Sequence, residues 1–184
     1  MSAAGLRLPR ELVRRATGAV YRPLPVTRGF TWIGEERLAI GSLPIGDDLE
    51  RLAEEGVTDV VNCRHTYQTY FSQDLWAERE RFGAEHVVLA PMWDNGRPKR
   101  PRDFAHAVSF GARRLEEDPD ARLLVHCQQG RRRSALVAYG VLRMRGHSAE
   151  DASRLILTHR PVTRIVPAYR ASVEQWLDSG APVA

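Results

Sequence analysis

The chain has 184 residues, 43% hydrophobic and 27% charged, enough for one domain that builds its own core without disulfide or metal support. No run approaches the ~20 apolar residues of a membrane span, and two cysteines, Cys63 and Cys127, exclude a secreted disulfide scaffold. The net charge is only +4. Lys99 is the sole lysine among 27 basic residues, which excludes a lysine-bearing nucleotide loop, and no basic patch interleaved with aromatics points to nucleic acid.

Residues 1–29 read as an N-terminal arm with a short helix over Arg10–Ala19, ended by Pro23 and Pro25. Arg7, Arg10, Arg14 and Arg15 interrupt this arm, so it lacks the apolar run of a signal peptide. Its Arg-rich, acid-poor makeup also fits a transit peptide, but the cytoplasm is the expected compartment. Residues 30–180 read as one domain. Phe30–Ile33 and Arg37–Ile40 predict strands, Gly41-Ser42-Leu43-Pro44 a turn, and Asp47 the cap of a helix running through Glu55 to a stop at Gly56. Val57–Asn62, His86–Ala90 and Arg122–Val125 are short apolar runs of the buried-strand kind. The polar stretch around Asp74 reads as connecting chain. Helices are expected over Asp103–Glu117, Ser134–Arg145, Ser148–Arg160 (with Ser148 and Asp151 as a capping box) and Pro167–Asp178. Strands alternating with helices predict an α/β fold, a central, mostly parallel sheet flanked by helices on both faces. In such sheets sites form beyond the carboxyl ends of strands, which directs attention to the residues immediately after Val125.

There the chain reads His126-Cys127-Gln128-Gln129-Gly130-Arg131-Arg132-Arg133-Ser134, a strand end, a tight loop and a helix start. Amides of the loop and first helical turn, the helix dipole and the Arg133 guanidinium all favour a thiolate on Cys127, lowering its pKa into the ~3.5–7.5 range of activated cysteines. The same bowl, formed by residues 128–132 with Arg133, suits a phosphate dianion. Gly130 permits a left-handed turn, and Ser134 can donate its hydroxyl to the sulfur as it leaves. Cys-x5-Arg alone is weak in so arginine-rich a chain, and a buried inert cysteine is the plain alternative. His126, Gly130, Ser134 and the strand-loop-helix setting carry the assignment. His126 is expected to order the loop with its ring turned away from the bowl. Arg131 and Arg132 are read as contacting a second phosphate or an acidic surface, or as facing solvent at the helix start. Arg64 and His65, at another strand end, form a pocket wall or a solvated turn.

A leaving alcohol or phenol needs a proton. Asp94, in Trp93-Asp94-Asn95-Gly96, lies in a turn-rich loop 33 residues before Cys127 and is the candidate general acid. A turn-forming Asp-Asn-Gly is its plain alternative. Asp103, placed to start a helix, and Asp74 are weaker rivals.

His126-Cys127-x5-Arg133-Ser134 is the signature of the protein tyrosine phosphatase superfamily, and the chain from about Trp32 to Leu177 resembles its compact dual-specificity branch. The resemblance implies hydrolysis of phosphate monoesters through a phosphocysteine, with no metal or other cofactor and a phosphorylated protein as substrate. Asn62-Cys63-Arg64-His65-Thr66-Tyr67 is similar to a segment of lipid phosphatases of the phosphatase-and-tensin type, which implies a reversible disulfide between Cys63 and Cys127; a small core residue is the other reading of Cys63. Gly41-Ser42-Leu43-Pro44 with Tyr67 resembles the mitochondrial phosphatidylglycerophosphate phosphatase. A phospholipid substrate, with peripheral membrane contact, is therefore the alternative. Gln128 and Gln129 stand where the lipid enzymes usually carry a lysine, and Ala168-Tyr169 follows Pro167 where relatives often carry an amide or hydroxyl that positions water.

Overall fold

A computed structural model describes residues 29–180. Strands β1 (Phe30–Trp32), β2 (Leu38–Gly41), β3 (Asp59–Asn62), β4 (Val87–Leu89) and β5 (Leu123–His126) form one sheet in the order β1-β2-β5-β3-β4. Only β1 runs antiparallel to its neighbour.

The two-residue period of the strands divides the core. Leu38, Ile40, Val61, Leu123 and Val125 project to one face. There they meet Phe104 and Val108 of α4 (Pro101–Glu117), Leu136 and Val137 of α5 (Arg133–Met144), Ile156 of α6 (Ala149–His159) and Val173 of α7 (Pro167–Asp178). Ala39, Val60, Val87 and Leu124 project to the other face, against Leu52 of α1 (Asp48–Glu54) and Leu75 and Phe82 of α3 (Asp74–Phe82). The sheet is thus mostly parallel and covered on both faces, as expected. Among the described residues no helix is long and apolar enough to cross a membrane.

Other expected elements lie within two residues of their observed bounds, but the stretch around Asp74 is not connecting chain. It folds as α2 (Thr66–Ser72), α3 and a short 3-10 turn, Ala84–His86. Among the residues α3 buries are Asp74 and Glu78, so no apolar period marks it. Asp47 stands at the N-cap of α1, as expected, but without a side-chain capping bond, while Asp48 Oδ2 accepts the Ile45 amide, ahead of the helix, at 2.9 Å. Helix α4 begins two residues before Asp103, with Pro101 in its first turn and Asp103 Oδ2 accepting the Arg100 amide at 3.3 Å. The Ser148 hydroxyl caps α6 through the Asp151 amide at 3.0 Å, as expected. The helix anticipated over Arg10–Ala19 lies outside the described residues.

Strands β3 and β5 are neighbours, with Asn62 beside His126. The pleat sends Asn62 and His126 toward α3, and turns the next residues, Cys63 and Cys127, into the core on the opposite face.

Candidate active site

The chain leaves β5 at His126 and enters α5 at Arg133, turning at Gly130 with φ +63. A Cβ at Gly130 would lie 2.4 Å from the Gly41 carbonyl oxygen, so this close approach of loop and β2 requires glycine. The Leu43 amide donates to the Gln128 carbonyl and the Cys127 amide to the Gly41 carbonyl, each at 3.4 Å, tying the loop to the end of β2. Cys127 is 2% exposed. Its sulfur lies 3.4 Å from Ser134 Oγ and accepts from the amides of Ser134 and Arg131. Burial pushes this thiol up, but the Arg133 guanidinium, the Ser134 hydroxyl and those amides outweigh it and bring the pKa down to about 7.

Arg133 is buried, and one end of its fork is fixed by the protein. Its NH1 donates to Gln68 Oε1 at 2.9 Å, to the Met92 carbonyl at 3.0 Å and to the Cys63 carbonyl at 3.3 Å. Its Nε is buried and has no partner among the described residues. A buried guanidinium N–H left unsatisfied beside an activated sulfur is the donor a bound oxyanion would take. Gln128 likewise has a buried, unpartnered side-chain oxygen, and Gln129 is half-buried in the same loop. Behind the loop, buried Arg160 donates from Nε to the Gly130 carbonyl at 3.0 Å and from NH1 to Thr31 Oγ1 at 2.9 Å. Holding that carbonyl away from the sulfur helps the loop amides face it.

His126 is fully buried on the far side of the sheet, its Nε2 2.8 Å from Glu78 Oε1, also fully buried. Burial opposes its charge, but Glu78, Asp74 and Cys127 raise its pKa. Asn62 Nδ2 donates to Asp74 Oδ2 at 2.8 Å and to Glu78 Oε2 at 3.0 Å, and Arg64 NH1 lies 2.6 Å from both Asp74 Oδ1 and Ser72 Oγ. The ring of His126 thus turns away from the bowl, as expected, and anchors the strand end in a buried polar cluster. Two expectations are corrected here. Arg64 is fully buried and bound to Asp74, so it braces the wall from behind and does not reach substrate. Burial pushes the Asp74 carboxyl up, but Arg64, Ser72 and Asn62 hold it below its ordinary value, and both its oxygens are engaged in this buried cluster, so Asp74 is no rival acid.

The loop after β4 brings Asp94 to the Cys127 loop: its Oδ1 lies 3.2 Å from Arg132 NH1 and accepts from the Tyr169 hydroxyl at 3.0 Å. Arg132 is therefore an ion-pair partner of Asp94. Arg131 donates from Nε to the Val162 carbonyl at 3.1 Å, and its own carbonyl accepts the Arg164 amide at 2.8 Å, so it fastens the loop to the 160–164 segment. Asp103 caps the start of α4, the helix-starting role expected of it. His65 caps α2 and stacks on Trp93 with ring centroids 4.0 Å apart, forming a wall beside Asp94. Cys63 and Cys127 are both free thiols at neighbouring strand ends, the Cys63 amide donating to the His126 carbonyl at 2.8 Å.

Sequence reasoning missed Gln68, Lys99, Arg160 and Tyr169. Gln68, Arg160 and Tyr169 act on partners far along the chain, Gln68 on Arg133, Arg160 on Gly130 and Tyr169 on Asp94, and no local pattern announces such contacts. The only signal was Lys99 itself, a single lysine in an arginine-rich chain.

No protein-family model matches the chain, and no curated protein matches it by sequence. Solved structures do. Human DUSP28 is 21% identical over 86% of this chain and 99% of its own, with a TM-score of 0.66. PTPMT1 in complex with PI(5)P is 20% identical over 82% of this chain and 95% of its own, with a TM-score of 0.67. The human tyrosine phosphatase-like serine/threonine/tyrosine-interacting protein is 18% identical over 84% of this chain and 99% of its own, with a TM-score of 0.69. The chain has the fold of these proteins.

Proposed function

We propose that this chain hydrolyses phosphate monoesters through a phosphocysteine on Cys127. The observation that carries the reading is a buried sulfur whose pKa is brought down to about 7 beside an arginine with an unpartnered, buried Nε. The Cys127 thiolate attacks phosphorus in line, and the P–O bond to the leaving group breaks as Asp94 protonates that oxygen. Arg133 and the loop amides hold the equatorial oxygens. Water then attacks the phosphocysteine and gives its proton to Asp94, and the P–S electrons return to sulfur, with the Ser134 hydroxyl donating to it. Both contacts to Asp94 fall on Oδ1, which leaves Oδ2 to carry the proton. The test is Asp94→Ala. Aryl phosphate turnover falls about 10²-fold or more, while vanadate affinity stays near wild type; full activity at every pH would remove the acid assignment.

The same sulfur is the oxidation-prone one. Peroxide converts its thiolate to a sulfenic acid. The Cys63 thiol then condenses with it, forming an S–S bond and releasing water, which protects Cys127 from further oxidation.

The substrate is a phosphoprotein, at phosphotyrosine or at phosphoserine and phosphothreonine. One observation favours a phospholipid instead: Tyr67, Tyr70, Phe71 and Trp93 are each more than half exposed around the His65–Trp93 wall, and such side chains settle at lipid headgroups. Phosphopeptides compared with phosphatidylinositol and phosphatidylglycerol phosphates in vesicles, against Cys127→Ser, separate the two. Faster lipid turnover selects the second.

A further inference from the structure

The loop that carries Asp94 is keyed to α7 by side chains that the reaction itself does not use. Lys99, 8% exposed, sends Nζ back across the turn to the Trp93 carbonyl at 2.6 Å and to Asn95 Oδ1 at 2.6 Å, the residues on either side of Asp94. Asn95 Oδ1 also accepts the Arg97 amide at 3.1 Å, closing the turn. The same ammonium lies 4.6 Å from the centre of the Tyr169 ring. Tyr169 in turn donates its hydroxyl to Asp94 Oδ1 at 3.0 Å and accepts the Gly96 amide at 3.1 Å. The Lys99 amide donates to Ser172 Oγ at 2.9 Å, one helical turn beyond Tyr169. The loop is thus wrapped around one ammonium and pinned to α7 at two positions.

The choice of residue supports a specific role. Every other basic residue in the chain is arginine, so lysine stands here against the composition. A compact ammonium can direct its donors to a carbonyl, an amide oxygen and an aromatic face, whereas a planar guanidinium is too broad for that corner. Burial lowers the Lys99 pKa, with Asp94 and Asp103 opposing that shift, so the position is held at an energetic cost.

We propose that Lys99 and Tyr169 form a latch that positions Asp94 for proton transfer, Lys99 by holding the Trp93 carbonyl and the Asn95 side chain on either side of the acid and Tyr169 by fixing its Oδ1. Neither touches phosphate; both are positioning residues acting through Asp94. The inference rests on Asp94 being the general acid.

Leaving-group dependence tests it. Proton donation matters for phenyl phosphate and hardly at all for 2,4-dinitrophenyl phosphate, whose phenolate departs unaided. Lys99→Met and Tyr169→Phe are expected to lower kcat/KM on phenyl phosphate about 10-fold or more while leaving kcat/KM on the dinitrophenyl ester, which reports only the steps up to phosphoenzyme formation, within about twofold, with vanadate affinity unchanged. Lys99→Arg does not restore activity, and neither Lys99→Met nor Tyr169→Phe lowers kcat/KM further in an Asp94→Ala background. Equal losses on both esters, rescue by arginine, or full additivity with Asp94→Ala would overturn the latch. Tyr169→Phe removes a single oxygen, and thermal melts of both variants separate misfolding from mispositioning. If Asp94→Ala itself spares neither ester preferentially, the acid assignment fails and the latch with it. If Asp94→Ala is selective and the latch variants are not, the latch alone fails.

Discussion

Cys63 and Cys127 end neighbouring strands and are both buried, at 0% and 2% exposure, yet their thiols are driven in opposite directions. At Cys63 burial is joined by the charges of Cys127 and Glu78, with only Arg133 opposing, and the thiol is pushed well above its ordinary pKa. At Cys127 the same burial is outweighed by a guanidinium, a hydroxyl and two amides aimed at the sulfur. Position relative to the loop therefore decides which thiol is activated. Exposure to water plays no part; oriented donors do.

The largest effect expected from this contrast is at the sulfurs themselves. Cys127→Ser abolishes aryl phosphate turnover, whereas Cys63→Ser keeps it but loses the peroxide-induced crosslink. Mass spectrometry should find that crosslink in the wild type, reversed by reductant. In Cys63→Ser it should find sulfinic or sulfonic acid on Cys127 instead; sulfonic acid on Cys127 of the wild type would end the redox reading. Arg133 comes next. Arg133→Lys retains charge but loses the fork and is expected to cost about 10²–10³-fold in kcat. Arg133→Met should cost more, because burial then acts on the thiol with one fewer opponent; equal activity of the two variants would show that charge near the sulfur is irrelevant. The smallest effect is at Ser134. Ser134→Ala leaves the amides in place and removes one hydrogen bond to a charged sulfur. It should slow phosphoenzyme breakdown about 10- to 100-fold, seen as a burst of phenol release that the wild type lacks.

The contrast also marks what could be read from sequence. Strands β3 and β5 were legible because their apolar runs are short and bounded, and the Cys127 loop because glycine, cysteine, arginine and serine occur at fixed spacing within it. Helix α3 was not legible, because two residues it buries, Asp74 and Glu78, are acidic and pair with Asn62, Arg64 and His126 instead of packing as a stripe. For Arg64, at a strand end, the sequence left a pocket wall and a solvated turn open, and its guanidinium instead turns inward to Asp74. Lys99 and Tyr169, 70 residues apart, meet only once α7 has packed beneath the Asp94 loop.

The most direct test is the ionisation of one thiol in the free protein. Alkylation by iodoacetate, followed by peptide mass spectrometry across pH, should modify Cys127 with a midpoint at about 7 and leave Cys63 unmodified. Because the thiolate is the reactive form, kcat/KM should fall along the same curve as pH drops through that midpoint. A Cys127 that reacts only as an ordinary thiol does, near pH ~8.5, or a Cys63 that reacts first, would contradict the account.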